Sequence, residues 1–76
     1  MTQEELEQAA QTYDAVAAEL ERALGHCHVA AEHFREGKVP NGTAHAWAAR
    51  GHLVRAARQL DAQAEQHTAK AQLPGD

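Results

Sequence analysis

A row of apolar residues spaced seven apart constrains this chain more than any other feature of its sequence. The row consists of Leu6, Tyr13, Leu20, Cys27 and Phe34. A repeat of seven keeps one side of an α-helix turned toward a partner helix along its whole length. Further along the chain, the same spacing links Ala46, Leu53, Leu60 and His67. The sequence therefore predicts two long helices that pack together in the manner of a coiled coil.

Local signals place the ends of these helices. Thr2 and Glu5 have the spacing of a capping box, so helix 1 is expected to begin near residue 3. Gly37 can take up the left-handed conformation that closes a helix, and Pro40 cannot continue one. The predicted division is helix 1 over about 3–36, a turn over 37–42, helix 2 over about 43–72 and a frayed tail over 73–76.

A short link between two helices of about thirty residues favours an antiparallel hairpin, so we expect an all-α single domain over residues 1–76. Alanine occurs eighteen times and aromatic residues only three times, so such a hairpin buries little apolar area. Two hairpins are therefore expected to dimerise into a four-helix bundle. The predicted core seam between the two helices consists of Leu6, Leu20, Cys27, Phe34, Leu53 and Leu60.

The only tryptophan, Trp47, indicates where a second copy would bind. A large apolar side chain on a helix surface often marks a contact with a partner. On a helical wheel, Trp47 falls on one flank of the hairpin with other apolar and basic residues. The predicted oligomer interface consists of Tyr13, Leu24, His28, Arg35, Trp47 and Val54. The alternative is that Trp47 covers the seam and is half buried by its own chain.

Four histidines form the one constellation that suggests a chemical site. His26 and His33 are seven apart on helix 1, and His45 and His52 are seven apart on helix 2. In the hairpin register these residues make two cross-helix pairs, His26 with His52 and His33 with His45, about 10 Å apart at 1.5 Å per residue. Such pairs could bind Zn, Ni or Cu with ligands from a second copy, respond to pH, or remain solvated. No other cofactor is expected.

An enzyme is not expected from this sequence. The chain contains no serine, its single thiol falls in the predicted seam, and its carboxylates do not converge on a pocket. The net charge of −4 argues against nucleic-acid binding, although the basic residues near the turn keep a nucleic-acid or anion site open as an alternative.

The leading hypothesis is a small structural or regulatory interaction protein that acts as a helical homo-oligomer. Its expected partner is a second copy, with an unidentified protein partner also possible. One cysteine, no signal peptide and no apolar stretch of membrane length favour the cytoplasm. The composition, rich in alanine, arginine and histidine, is typical of a GC-rich bacterial genome.

Overall fold

The computed structural model describes residues 1–68 and 73–75, and this part of the chain forms two α-helices and no strand. Helix α1 spans Gln3–Arg35 and helix α2 spans Val39–Thr68. The all-helical class predicted from the sequence is therefore confirmed. The hairpin is 57 Å long and 12 Å across its thinnest dimension.

The two helices run antiparallel, as hydrogen bonds between them show. Glu19 bonds to His52, and Thr12, one heptad earlier on α1, bonds to Gln63 further along α2. Residue numbers thus rise along one helix as they fall along the other. The predicted antiparallel hairpin is confirmed.

The predicted capping box begins α1. The Thr2 hydroxyl accepts a hydrogen bond from the Glu5 backbone N–H at 3.1 Å, and the Glu5 carboxylate accepts one from the Thr2 N–H at 3.2 Å. Two of the N–H groups that have no partner within a helix are satisfied in this way. The first helical residue is therefore fixed at Gln3.

A glycine ends α1 one residue before the predicted boundary. Gly37 has a φ of 75°, which favours glycine because it carries no Cβ. The Gly37 N–H donates to the Phe34 carbonyl at 3.0 Å, and the Lys38 N–H donates to the His33 carbonyl at 2.8 Å. This pair of bonds is a Schellman motif, and it closes α1 after Arg35.

Helix α2 begins at Val39, four residues earlier than expected, so the predicted turn over residues 37–42 was too long. The first helical hydrogen bond runs from the Gly42 N–H to the Lys38 carbonyl at 2.9 Å. Pro40 lies inside the first turn, where its missing N–H would have had no helical partner in any case. The predicted end of helix 2 at residue 72 lies outside the described residues. Residues 73–75 form an exposed turn.

Small side chains form the seam between the helices. The buried residues of both helices lie seven apart, and they are Val16, Ala23 and Ala30 on α1 and Gly42, Ala49 and Ala56 on α2. Their side chains are so small that the two backbones can approach closely. Among the described residues, no larger apolar side chain than Val16 is buried.

The predicted core seam was therefore wrong in its phase, although its period of seven was right. The large apolar residues assigned to it are about 39–48% exposed, and Cys27 is exposed as well. The buried row lies three residues after the predicted row, so that Leu20 precedes Ala23. Leu6, Leu20, Cys27, Phe34, Leu53 and Leu60 instead line one side of the seam. The alanine row wins because it allows closer contact between the backbones than a row of bulky residues.

Neither helix of the described chain has the combination of length and apolar character needed to cross a membrane.

Candidate functional site

The hairpin presents a different face on each side of its seam. On an α-helix, a residue three positions after a seam residue lies on one side, and a residue four positions after it lies on the other. In an antiparallel pair, matching positions of the two helices share a face. The histidine face consists of Glu19, His26, His33, His45 and His52. The apolar face consists of Leu6, Tyr13, Leu20, Cys27, Phe34, Ala46, Leu53 and Leu60.

The four imidazoles of the histidine face are in contact with one another. His26 and His52 stack with their ring centroids 5.4 Å apart and an angle of 11° between planes. His33 and His45 stack at the same 5.4 Å with an angle of 24°. These are the two cross-helix pairs that the spacing predicts, and the sequence register places them correctly.

The two pairs are not separate, which corrects the expected spacing of about 10 Å. The Nδ1 atoms of His26 and His45 lie 2.9 Å apart, and their ring centroids 5.2 Å. The imidazoles lean along the helix axes, so that His45 joins one pair to the other. The four rings therefore form one continuous array.

The contact between His26 and His45 restricts their protonation. Two Nδ1 atoms can share a hydrogen bond only if one carries a proton and the other accepts it. A doubly protonated pair would place two N–H donors against each other and break this bond. At least one of these two histidines is therefore neutral in the folded arrangement.

A carboxylate closes one end of the array. The Nδ1 of His52 lies 2.6 Å from one Glu19 carboxylate oxygen, and the other oxygen lies 3.4 Å from Arg22. The hydrogen bond from His52 lowers the pKa of Glu19, and the positive charges of His52, Arg22 and Arg55 act in the same direction. Partial desolvation opposes this shift. Both side chains of the Glu19–His52 pair are mostly shielded from solvent, at 12% and 18% exposed.

The sequence analysis does not include Glu19 in the histidine constellation, because side chains adjacent on one helix are three or four residues apart and Glu19 has no histidine at that spacing. Glu19 lies seven residues before His26, so it continues the row formed by His26 and His33. Extending that row by one heptad would have located it. The antiparallel register then brings it beside His52 on α2.

The structure gives the metal hypothesis little geometric support. Among the described residues, no group of three or more histidine, cysteine or carboxylate side chains is arranged to hold a metal ion. The array also leaves polar atoms unsatisfied, since His33 Nδ1 and Gln59 Oε1 are buried without a hydrogen-bond partner. His26, His33, His45 and His52 are brought together as contacting rings. The Nδ1 atoms of His26 and His45 are directed at each other, and that of His52 is directed at Glu19.

The six residues of the predicted oligomer interface divide between the apolar face and the two outer edges of the hairpin. Trp47 is 72% exposed and so does not cover the seam. Trp47 and Val54 each follow a seam residue of α2 by five positions, which directs them to the outer edge of that helix. His28 and Arg35 lie at the corresponding edge of α1, on the opposite side of the hairpin. Of the six predicted residues, only Tyr13 and Leu24 lie on or beside the apolar face.

A cleft of about 610 Å³ opens between the helices at the end that holds Met1 and His67. Its lining is mostly polar and uncharged, and it includes Gln8, Thr12, Gln63 and Gln66 beside Glu5 and His67. Neither Cys27 nor the histidine array faces this cleft.

The two faces thus offer different chemistry. The histidine face carries groups that exchange protons near neutral pH, while the apolar face carries only the capacity to bury surface. No protein-family model matches the chain, and comparisons with curated proteins and with solved structures found no similar protein. Functional inference therefore starts from these two faces.

Proposed function

We propose that this protein is a small, non-enzymatic structural or regulatory interaction module that works as a helical homo-oligomer. Two hairpins associate through their apolar faces to form a four-helix bundle. The observation that carries the proposal is the contrast in size between buried and exposed side chains. The seam buries nothing larger than Val16, while Leu6, Tyr13, Leu20 and Phe34 are each about half exposed.

The energetics favour covering the apolar face. Fully burying a leucine or phenylalanine side chain is worth about 1.5–3 kcal/mol. A half-exposed side chain on this face retains roughly half of that amount to gain, and several such side chains together can offset the cost of association. A seam of alanines supplies little comparable burial within the single chain. The hairpin and its assembly are therefore expected to be stabilised together.

A second copy is the partner that fits this face best. The α1 part of the face is a straight row over 29 residues, from Leu6 to Phe34, without a charged residue in it. A partner must present an uncharged strip of similar length and spacing. Another hairpin of the same sequence does so, and closed two-fold dimers are the commonest assembly of soluble proteins. We place this assembly in the cytoplasm, where the exposed Cys27 thiol stays reduced.

The test is the native mass of the protein and of two matched variants, measured by sedimentation or light scattering. The parent should have twice the chain mass of 8.2 kDa. Leu20→Glu places a charge at the middle of the apolar face and should yield single chains. Trp47→Glu places the same charge on the outer edge of α2 and should leave the dimer intact. Circular dichroism of each variant establishes that the helices are retained.

Two outcomes would contradict the proposal. A parent protein that remains a single chain at 0.1 mM, roughly the range of weak association, would remove self-association altogether. Dissociation of the Trp47 variant alone would instead move the interface to the outer edge of α2, as the sequence first suggested.

A pH-responsive role is the second candidate, and the hydrogen bond between His26 and His45 favours it. Acidification that places a second proton on both rings would break their contact, because two N–H donors would then face each other. Glu19 on α1 offsets part of the added positive charge, while Arg22 and Arg55 add to it. The measurement is the ¹H–¹⁵N spectrum of the imidazoles between pH 7.5 and 5.5, with His67 as the internal comparison. Titration of all five rings together would contradict this role.

Metal binding and nucleic-acid binding rest on weaker support. A Zn, Ni or Cu site would need ligands from a second copy beyond the histidines of one chain. Calorimetric titration of the parent and of His26→Ala with zinc tests it. The basic turn end would need to overcome a net charge of −4, and binding of DNA at low salt is the corresponding measurement.

A further inference from the structure

Charge divides the hairpin into two ends. Residues 1–21 and 59–68, at the open end, contain eight carboxylates and no lysine or arginine. Residues 22–58, around the turn, contain six basic and two acidic residues and so carry a net charge of +4. Since the helices are antiparallel, these segments lie at opposite ends of the 57 Å hairpin. The molecule is therefore negative at one end and positive at the other.

We propose that two copies pack with their turns at opposite ends, so that the acidic end of each lies against the basic end of the other. The two-fold axis passes near Leu20 and Leu53, at the middle of the apolar face. This inference rests on the self-association proposed above and adds the orientation of the two copies.

The position of the axis follows from the length of the apolar face. Leu20 is the middle member of the row from Leu6 to Phe34. The contacts of Thr12 with Gln63 and of Phe34 with Gly42 set the register, and they make Leu53 the apolar-face residue of α2 nearest to the level of Leu20. Complete overlap of two identical rows running in opposite directions places Leu20 opposite its own copy. Phe34 then meets Leu6 of the second copy, and Cys27 meets Tyr13.

The alternative orientation would place both turns at the same end. Neighbouring helices would still be antiparallel, and the same apolar residues would be covered. The eight carboxylates of each copy would then share one end of the bundle, within about one Debye length of each other at 0.1 M salt. Like charges at this separation repel and opposite charges attract, so electrostatics selects the arrangement with turns apart.

Distances between spin labels on the two copies test the orientation. With Cys27→Ala as the background, Asn41→Cys places a label at the turn and Ala62→Cys places one near the middle. Both positions are exposed and uncharged. Residue 55 of α2 lies level with Leu20, so at 1.5 Å per residue the proposed axis separates the two Asn41 positions by about 42 Å along the bundle and the two Ala62 positions by about 21 Å.

The expected result is therefore a long distance at position 41 and a markedly shorter distance at position 62. A short distance at position 41 would overturn the orientation while leaving self-association intact. A protein with the mass of a single chain and no distance between copies would overturn self-association, and the orientation with it. The native mass of each labelled variant, measured on the same sample, separates these two failures.

Discussion

The two faces of the hairpin share the same helices and the same register, yet their side chains differ in whether they find partners within the chain. On the histidine face, His26, His45, His52 and Glu19 find hydrogen-bond or stacking partners within the chain. On the apolar face, leucine and aromatic side chains remain 39–54% exposed. One face is largely closed by its own residues, and the other is left open.

This difference follows from the size of the seam residues. A seam made of alanine brings the helices close together, so the side chains that flank it lie near the surface on both sides. Polar rings can complete one another across such a narrow seam. Apolar side chains cannot be covered there, because covering them takes a third and a fourth helix. The seam thus leaves one face largely satisfied by contacts within the chain and the other face about half exposed.

The largest effect should come from breaking the seam that supports both faces. Ala56 is 2% exposed, so Ala56→Leu forces extra volume between the helices and should cost about 1–3 kcal/mol of unfolding free energy. Chemical denaturation followed by circular dichroism measures this change. The control, Ala62→Leu, lies at an exposed position and should change stability by less than about 0.5 kcal/mol. Equal effects of the two variants would show that Ala56 is not at the seam.

Trimming the apolar face should weaken the assembly with less effect on the hairpin. Leu60 is 42% exposed, and Leu60→Ala removes it from both copies of a dimer. The dissociation constant should rise on the order of 50-fold, because two partly buried leucines are lost. Val29→Ala, on the side of α1 that carries the histidine face, should leave it nearly unchanged. If Val29→Ala raised the dissociation constant more than Leu60→Ala, the copies would associate through the histidine face and not through the apolar face.

Glycine replacements show how firmly Phe34 is held at the edge of the apolar face. A Cβ at Gly51 would meet no atom within 4 Å, so Gly51→Ala should stabilise the helix by about 0.5–1 kcal/mol. A Cβ at Gly42 would lie 2.9 Å from three ring carbons of Phe34. Because the added methyl group would clash with this ring, Gly42→Ala should not stabilise the protein as Gly51→Ala does. Thermal unfolding of both variants measures the difference. Equal stabilisation by both variants would mean that Phe34 moves aside freely.

The smallest effect concerns Glu19 and pH. Because the folded state lowers the pKa of Glu19, the carboxylate contributes stability that is present above its unfolded pKa and is lost as pH falls through its folded value. The parent should therefore lose more stability than Glu19→Gln on acidification from pH 6 to 3. Denaturation midpoints across this range measure the difference. Glu21→Gln, at an exposed position, serves as the control and should follow the parent.

The sequence predicted the helices and the hairpin well because their signals are local. The capping box at Thr2 and the left-handed Gly37 each act through residues within one helical turn. The phase of the seam was harder to predict. Rows of large and of small residues both repeat every seven positions, and the usual preference for large residues in a core selected the wrong row. The start of α2 was predicted too late because Pro40 was assigned to the turn, whereas proline is compatible with the first turn of a helix.

The histidine pairs could be predicted from residue numbers alone, since an antiparallel register fixes which residues share a level. Their contact with each other could not, because the direction of each ring depends on side-chain rotamers. Glu19 was missed because its partner, His52, lies on the other helix. Predicting that Trp47 and His28 lie at opposite edges of the hairpin also depends on knowing which row of residues forms the seam.

The small residues of the seam have a further consequence for how the two helices are aligned lengthwise. Sliding one helix by seven positions would again bring small residues against small residues, so the seam itself discriminates weakly between such alignments. The native alignment is selected by contacts that occur only once. These are the contact of the Phe34 ring with Gly42 and the hydrogen bond between Glu19 and His52. Sliding would separate both pairs, so residues outside the seam select the native alignment.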